Sequence, residues 1–116
     1  MGIQVFHHTT VQAEEVTDEG AAKAKVRWLI TKEKGAPNFA MRVFEIEPEG
    51  HTPFHKHPWE HEVFALEGEG EVFDGEKTTP FKAGFAVFVP PNEPHQFRNV
   101  GKSLLKVICL IPYAKQ

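Results

Sequence analysis

The sequence predicts an all-β domain, a barrel or sandwich of short strands. Three observations point there. Nine prolines and nine glycines are spread along 116 residues and cut the chain into pieces mostly too short for helices. Several of those pieces alternate apolar and polar residues with a period of two. Turn residues stand between them at near-regular spacing.

Taken in order, residues 25–31 (KVRWLIT) put Val26, Trp28 and Ile30 on one face and Lys25 and Arg27 on the other. Residues 39–47 (FAMRVFEIE) are rich in β-formers and end at Pro48. Residues 61–68 (HEVFALEG) lead into 69–75 (EGEVFDG), where Asp74-Gly75 signals a hairpin turn. Strands are then expected at 85–90 (FAVFVP), 95–99 (HQFRN) and 103–112 (SLLKVICLIP). Residues 10–24 are the one stretch where a helical turn fits. The expected organisation is a single domain: a barrel over 25–113 and a segment over 1–24 that packs on the barrel or on a partner.

Composition narrows the function classes. Hydrophobic content of 41% and charged content of 25% describe a soluble globular chain. A formal net charge of −3 without a basic cluster argues against nucleic-acid binding. The single cysteine, Cys109, forms no intramolecular disulfide and fits a reducing cytoplasm. The opening residues MGIQVFHHTT lack the pattern of a secretory signal, and Phe6 breaks the myristoylation pattern. No apolar run approaches the roughly 20 residues of a membrane span.

Two expected strands are apolar on both faces. In the last, Leu105, Val107, Cys109 and Ile111 form one face, and Leu104, Ile108 and Leu110 flank Lys106 on the other. Such strands need cover on both sides. A homodimer supplies it; the alternative is cover by the chain's own N-terminal segment.

Four of the seven histidines fall within residues 51–62 (HTPFHKHPWEHE). His55 and His57 share a face if the stretch is extended, and His61 has the same parity. Three imidazoles on one face make a poor core, because their ring nitrogens need partners. A divalent cation satisfies one nitrogen of each ring. A fourth ligand must come from elsewhere, and His95 follows the turn PPNEP. The competing reading is a solvated histidine-rich loop, which is also the reading for His7 and His8. His51 reads as loop.

The spacing resembles the cupin family. Its first motif runs Gly, five residues, His-x-His, three or four residues, Glu, six residues, Gly. Here His55-x-His57, three residues, His61, six residues and Gly68 follow it, with His61 in the Glu position and Gly50 one residue too close. Glu62 competes for the acidic position but misses the spacing to Gly68 and the parity of His57, so His61 is preferred. The second motif is matched at every spacing by Gly84, Pro90, Asn92, His95 and Asn99, with Asn92 replacing a turn glycine. Asn is the next residue to tolerate positive φ. The segments APNFAMRVF, HPWEHEVF and CLIP resemble small single-domain manganese cupins of thermophilic bacteria. That resemblance implies His55, His57, His61 and His95 as ligands, a conical β-barrel of jelly-roll type and a dimer. It ranks Mn(II) first and Fe(II) next, with Ni, Cu or Zn able to occupy recombinant material.

Four neutral imidazoles leave the ion its full charge, and two open positions on an octahedral ion suit a bidentate substrate or a substrate with dioxygen. The reading is a dioxygenase-type enzyme on a small organic substrate. Its rivals are a non-catalytic metal- or ligand-binding module and a sugar or keto-acid isomerase, the last lacking an evident general base. No catalytic acid or base is assigned. Parity nominates Phe97, Val107, Cys109 and Arg42 for the cavity, Arg42 because it alternates with Phe44 and Ile46 and could there hold an anionic substrate. For Cys109 the alternative is a small buried hydrophobe, and for Arg42 a surface arginine holding no anion. Trp59 and Glu60 read as loop packing.

Overall fold

The computed structural model describes residues 2–113. Nine strands are found among them: β1 (Glu14–Glu15), β2 (Ala22–Ile30), β3 (Phe39–His51), β4 (His61–Glu67), β5 (Glu69–Phe73), β6 (Thr78–Lys82), β7 (Ala86–Val89), β8 (Gln96–Asn99) and β9 (Leu105–Pro112). The strand pairs are antiparallel and run β6-β5-β8-β3-β9-β4-β7, with β2 on the other side of β3 and β1 on β2. The long β3 joins two parts of this curled sheet. Its residues 39–46 lie between β2 and β9, and its last residue, His51, pairs with Arg98 of β8. Strands on either side of that crossing curl around one interior, so the architecture is an all-β barrel.

Cross-strand register decides what faces inward, because directly paired residues share a face. Trp28 pairs with Arg42, Arg42 with Cys109 and Cys109 with Val63, so one inward row crosses four strands. A second inward row holds Val26, Phe44, Val107 and Ala65. Below them Ile46 and Leu105 are fully buried, and Phe81 meets Phe97 edge-on at 6.0 Å. Burying one such aliphatic side chain contributes about 1.5–3 kcal/mol. The apolar lower half thereby anchors the barrel and leaves its upper half free to be hollow.

Several expectations change in detail. The helical turn fitted to residues 10–24 is absent; 3-10 turns lie instead at His8–Thr10 and Lys32–Lys34. Gly20 (φ 92°) and Lys23 (φ 53°) break any helix there, and Glu14–Glu15 is drawn into a ladder with Val26 and Lys25. β3 continues past Pro48 to His51. Its register with β9 ends at Ile46, and its register with β2 skips from Ile46 to His51, so the missing N–H of Pro48 breaks no ladder bond. β6 was hidden by Pro80, which is tolerable because β6 ends the strand path. At the β5–β6 hairpin, Asp74 accepts the N–H groups of Glu76 and Lys77 through Oδ1, and Gly75 takes φ 103°.

The N-terminal segment crosses the outer face of β2, β3 and β9. Arg27 donates to the Val11 carbonyl and pairs with Glu45 at 3.1 Å, and Lys106 donates to His8 at 3.3 Å. The outer faces of β4 and β7 still expose Phe64 (45%) and Phe88 (60%). No helix among the described residues is long and apolar enough to cross a membrane.

Asn99 holds the β8–β9 connection to β3. Its buried amide donates to the Ile46 carbonyl at 2.7 Å and the Ser103 carbonyl at 2.9 Å, while its oxygen accepts from the Gly101 N–H. Asn99→Ala would strand a buried carbonyl and is expected to lower the unfolding free energy by about 2–3 kcal/mol. Urea titration measures this, and an unchanged midpoint would contradict the assignment.

Candidate metal centre

Two loops at the hollow end of the barrel carry the histidines. His55 lies in the β3–β4 connection and His95 just before β8. Their backbones form a bridge in which the His55 N–H donates to the His95 carbonyl at 3.1 Å and the His95 N–H donates back at 2.9 Å. The Asn92 N–H donates to the His57 carbonyl at 2.7 Å, from a residue with φ 66°. That is the left-handed conformation expected where Asn replaces the turn glycine. His61 opens β4, paired with Val89. The loops are therefore tied to each other through main-chain bonds before any side chain is considered.

The rings converge. Ligand nitrogens of His55, His57 and His95 all lie within 4.8 Å of one another. His61 stands outside that mutually close trio but meets it on one side, its Nε2 2.6 Å from His57 Nε2. Its ring centroid is 4.4 Å from that of His57 and 5.0 Å from that of His95. His61 and His95 are buried, while His55 sits at the open rim.

Hydrogen bonds orient the rings. His57 Nδ1 faces the Trp59 carbonyl at 3.2 Å and His95 Nδ1 faces the Glu93 carbonyl at 2.9 Å. A carbonyl only accepts, so both Nδ1 atoms carry the proton and both Nε2 atoms present lone pairs inward. His61 Nε2 then donates to His57 Nε2, and its Nδ1 accepts from the Cys109 thiol at 3.0 Å. Arg42 Nη2 in turn donates to Cys109 Sγ at 3.1 Å. The result is one directional chain from Arg42 through Cys109, His61 and His57 to a main-chain carbonyl. His57 also stacks on Trp59, with ring centroids 4.3 Å apart and planes 7° from parallel.

All four imidazoles are held neutral. Burial pushes His55 down to about 4, with the neighbouring His95 and His57 adding to it. Burial pushes His61 to about 2, helped by His57 and Arg42. His57 and His95 are also lowered, again by burial first. Burial raises the Cys109 thiol, against the opposing pull of Arg42, so the sulfur keeps its proton at neutral pH. Neutral imidazoles with inward lone pairs and no carboxylate among them are a donor set for a divalent transition metal, and His55, His57 and His95 are placed to hold one.

The rings open into a cavity of about 310 Å³. Its wall includes Arg42, Phe97, Val107 and Cys109 together with all four histidines. Trp28, Phe44, Ile46, Trp59, Val63 and Ile111 make the rest of it mostly apolar. Sequence reasoning did not nominate Trp28 or Phe44, although Phe44 shares the parity of Arg42 on β3. It also read Trp59 as loop packing, where the structure stacks it on a histidine in the cavity wall. Asp18 and Val16, from the N-terminal segment, reach the mouth. Glu62 is exposed on the opposite face of β4, beside Phe39 and Leu110, away from the rings. His51 Nδ1 lies 3.2 Å from the Thr52 carbonyl and 3.3 Å from Gln96 Nε2 at the end of β3, and His51 is not in the cavity wall.

The depressed histidines set a pH dependence for the metal-free protein. In the unfolded chain they bind protons near pH 6.5, and in the folded chain they take them up only at lower pH. Stability is therefore fully present above the unfolded value and is lost as pH falls from about 6.5 toward about 4, where His55 titrates. Melting temperatures in the presence of a chelator should be level above pH 7 and fall through that window. A melting temperature constant down to pH 4 would contradict the buried neutral site.

Known proteins share this architecture. Residues 42–111 match the family model described as "Cupin domain". An oxalate-binding protein of Thermotoga maritima is 30% identical over 111 residues, covering 92% of each chain. The structure of the polyketide cyclase RemF from Streptomyces resistomycificus superposes with a TM-score of 0.89 and 35% identity, over 96% of this chain and 80% of that one. A predicted oxalate decarboxylase from Thermotoga maritima superposes with a TM-score of 0.84 and 25% identity, over 96% of this chain and all of the other. With a family model covering more than half of its length and a relative aligned almost end to end, the chain belongs to the cupin family.

Proposed function

We propose that the chain holds one divalent ion through Nε2 of His55, His57, His61 and His95, Mn(II) first and Fe(II) next, and acts as a dioxygenase-type enzyme on a small organic substrate. The observation that carries this reading is the convergence of four neutral imidazole rings, with no carboxylate among them, at the head of an apolar cavity. His61 would complete the set by changing tautomer. Its Nε2 would give up the bond to His57 and turn a lone pair to the ion, and its Nδ1–H would donate to Cys109 Sγ in place of accepting from it. When bound, the ion supplies Lewis acidity toward substrate oxygens and, as manganese or iron, redox chemistry with dioxygen. The chain's own residues do the rest. Phe97, Val107, Ile111 and Phe44 exclude water and pack the substrate's apolar body, while the Trp59 and Glu93 carbonyls keep two rings from rotating.

A second reading needs no oxidant. The likeness to a polyketide cyclase supports a redox-neutral ring closure on a chelated carbonyl compound. The oxalate-binding relative supports simple capture of an oxygen chelator. An isomerase is disfavoured because the one acidic residue in the cavity wall, Asp18, is exposed at the mouth. Oxygen uptake by the Mn and Fe forms, across catechols, flavonols, β-diketones and alkenylphenols, separates these. Uptake with product formation is expected. Turnover without uptake would favour ring closure, and binding without turnover would leave a ligand-binding module. Metal titration accompanies it: His61→Ala should weaken metal binding by about tenfold or more, and Glu62→Gln should leave it unchanged. The opposite pattern would sink the four-histidine set.

We also propose a homodimer, in keeping with a soluble protein of a reducing cytoplasm whose partner is otherwise a small molecule. Phe64, Phe88, Ile108 and Leu110 lie on one outer face of β4, β7 and β9, and the N-terminal segment is bonded to β2 and to the Lys106 end of β9. Burying Phe64 and Phe88 against a second copy would contribute several kcal/mol, at roughly 1.5–3 kcal/mol per side chain. Sedimentation at micromolar concentration should show twice the chain mass; a lone 13.1 kDa species would rule it out.

A further inference from the structure

We infer that Arg42 is an anion subsite beside the metal centre, and that the ligand is a monoanion with an oxygen-bearing head and an apolar, aromatic-sized body. The inference rests on the metal-centre reading and names the ligand class for it.

The geometry of Arg42 is unusual for a guanidinium inside a barrel. No carboxylate pairs with it among the described residues. Its protein acceptor is a thiol sulfur at 3.1 Å, with His61 Nδ1 at 3.5 Å. Its Nε is buried and bonded to nothing. Two aromatic rings hold its plane, with Cζ 5.1 Å from the Trp28 centroid and 4.8 Å from the Phe44 centroid. Even half-buried, a charge without a counter-ion carries a desolvation cost, and a divalent ion bound at the rings would add repulsion. The second buried donor without a partner, Trp59 Nε1, belongs to the wall of the same cavity. The wall thus offers positive charge and spare donors, and Asp18, its one acid, is exposed at the mouth.

An anion in the cavity that reached both Arg42 and the ion would answer both charges at once. Guanidinium and carboxylate form short, strong, directional bonds. The remaining wall is mostly apolar and encloses about 310 Å³, room for a body well beyond the head group. A small all-polar dianion would leave that wall uncovered. The shape and charge therefore fit a 2-oxo acid or a similar oxygen chelator carrying a ring.

Phenylpyruvate, its methyl ester and oxalate test this by calorimetry on manganese-loaded and metal-free protein. Wild type should bind phenylpyruvate at least about tenfold more tightly than the ester, and more tightly than oxalate. Arg42→Met should keep its metal content and lose about tenfold or more in phenylpyruvate affinity, with ester affinity unchanged. Arg42→Lys should fall between. Equal binding of acid and ester by wild type would overturn the inference even if the Met variant failed to fold, and so would an Arg42→Met affinity equal to wild type. The metal-free arm separates the two readings. Acid-over-ester preference there supports the Arg42 subsite, while a failure of manganese to bind, or to tighten phenylpyruvate, counts against the metal centre alone.

Discussion

Four imidazoles crowded at one end of a small barrel must all be neutral, and each must turn its Nε2 the same way. Everything else at this end of the molecule follows from that constraint. Burial supplies the neutrality, since protonating one ring desolvates a cation among neighbours that resist it. Main-chain carbonyls supply the orientation for His57 and His95. The backbone bridge between His55 and His95 brings the two loops together without relying on a metal. A site assembled this way presents nitrogen donors alone to a divalent transition-metal ion.

The same constraint shapes the cavity. Inward rows set by β2, β3, β9 and β4 place Trp28, Arg42, Cys109 and Val63 side by side. Arg42 leans on sulfur and aromatic faces and keeps its charge uncompensated, which helps lower the neighbouring histidines. Cys109 links that guanidinium to His61, so a change at the metal side of His61 is felt at Arg42 through two short contacts. The exposed aromatic residues of β4 and β7 lie on the other side of the sheet from the histidine rings.

Most of the fold was legible because a half-buried strand writes its burial into the sequence with a period of two. Val63, Ala65, Val107 and Cys109 face inward as that pattern requires. The elements that escaped were those governed by something other than periodicity. β6 contains Pro80, acceptable only at the end of a strand path, and strand order is not a local property. β1 is two glutamates that owe their conformation to β2. The histidine cluster was legible from spacing because His55 and His57 are two residues apart on extended chain, and Asn92 could be recognised as a glycine substitute from its place in the second cupin motif. The role of Trp59 was not, since nothing local says that its carbonyl and its ring would both engage His57. The thiol between Arg42 and His61 required the register of β3 against β9, which sequence parity narrows but does not choose.

The central claim is that one ion sits on four imidazole nitrogens. A crystal structure of the manganese-loaded protein, with the metal located by anomalous scattering, tests it most directly. The account predicts a single peak within coordination distance of Nε2 of His55, His57, His61 and His95, and His61 Nδ1 still in contact with Cys109. A peak bound by a carboxylate of Asp18 or Glu62, or one that leaves His61 hydrogen-bonded to His57, would contradict it.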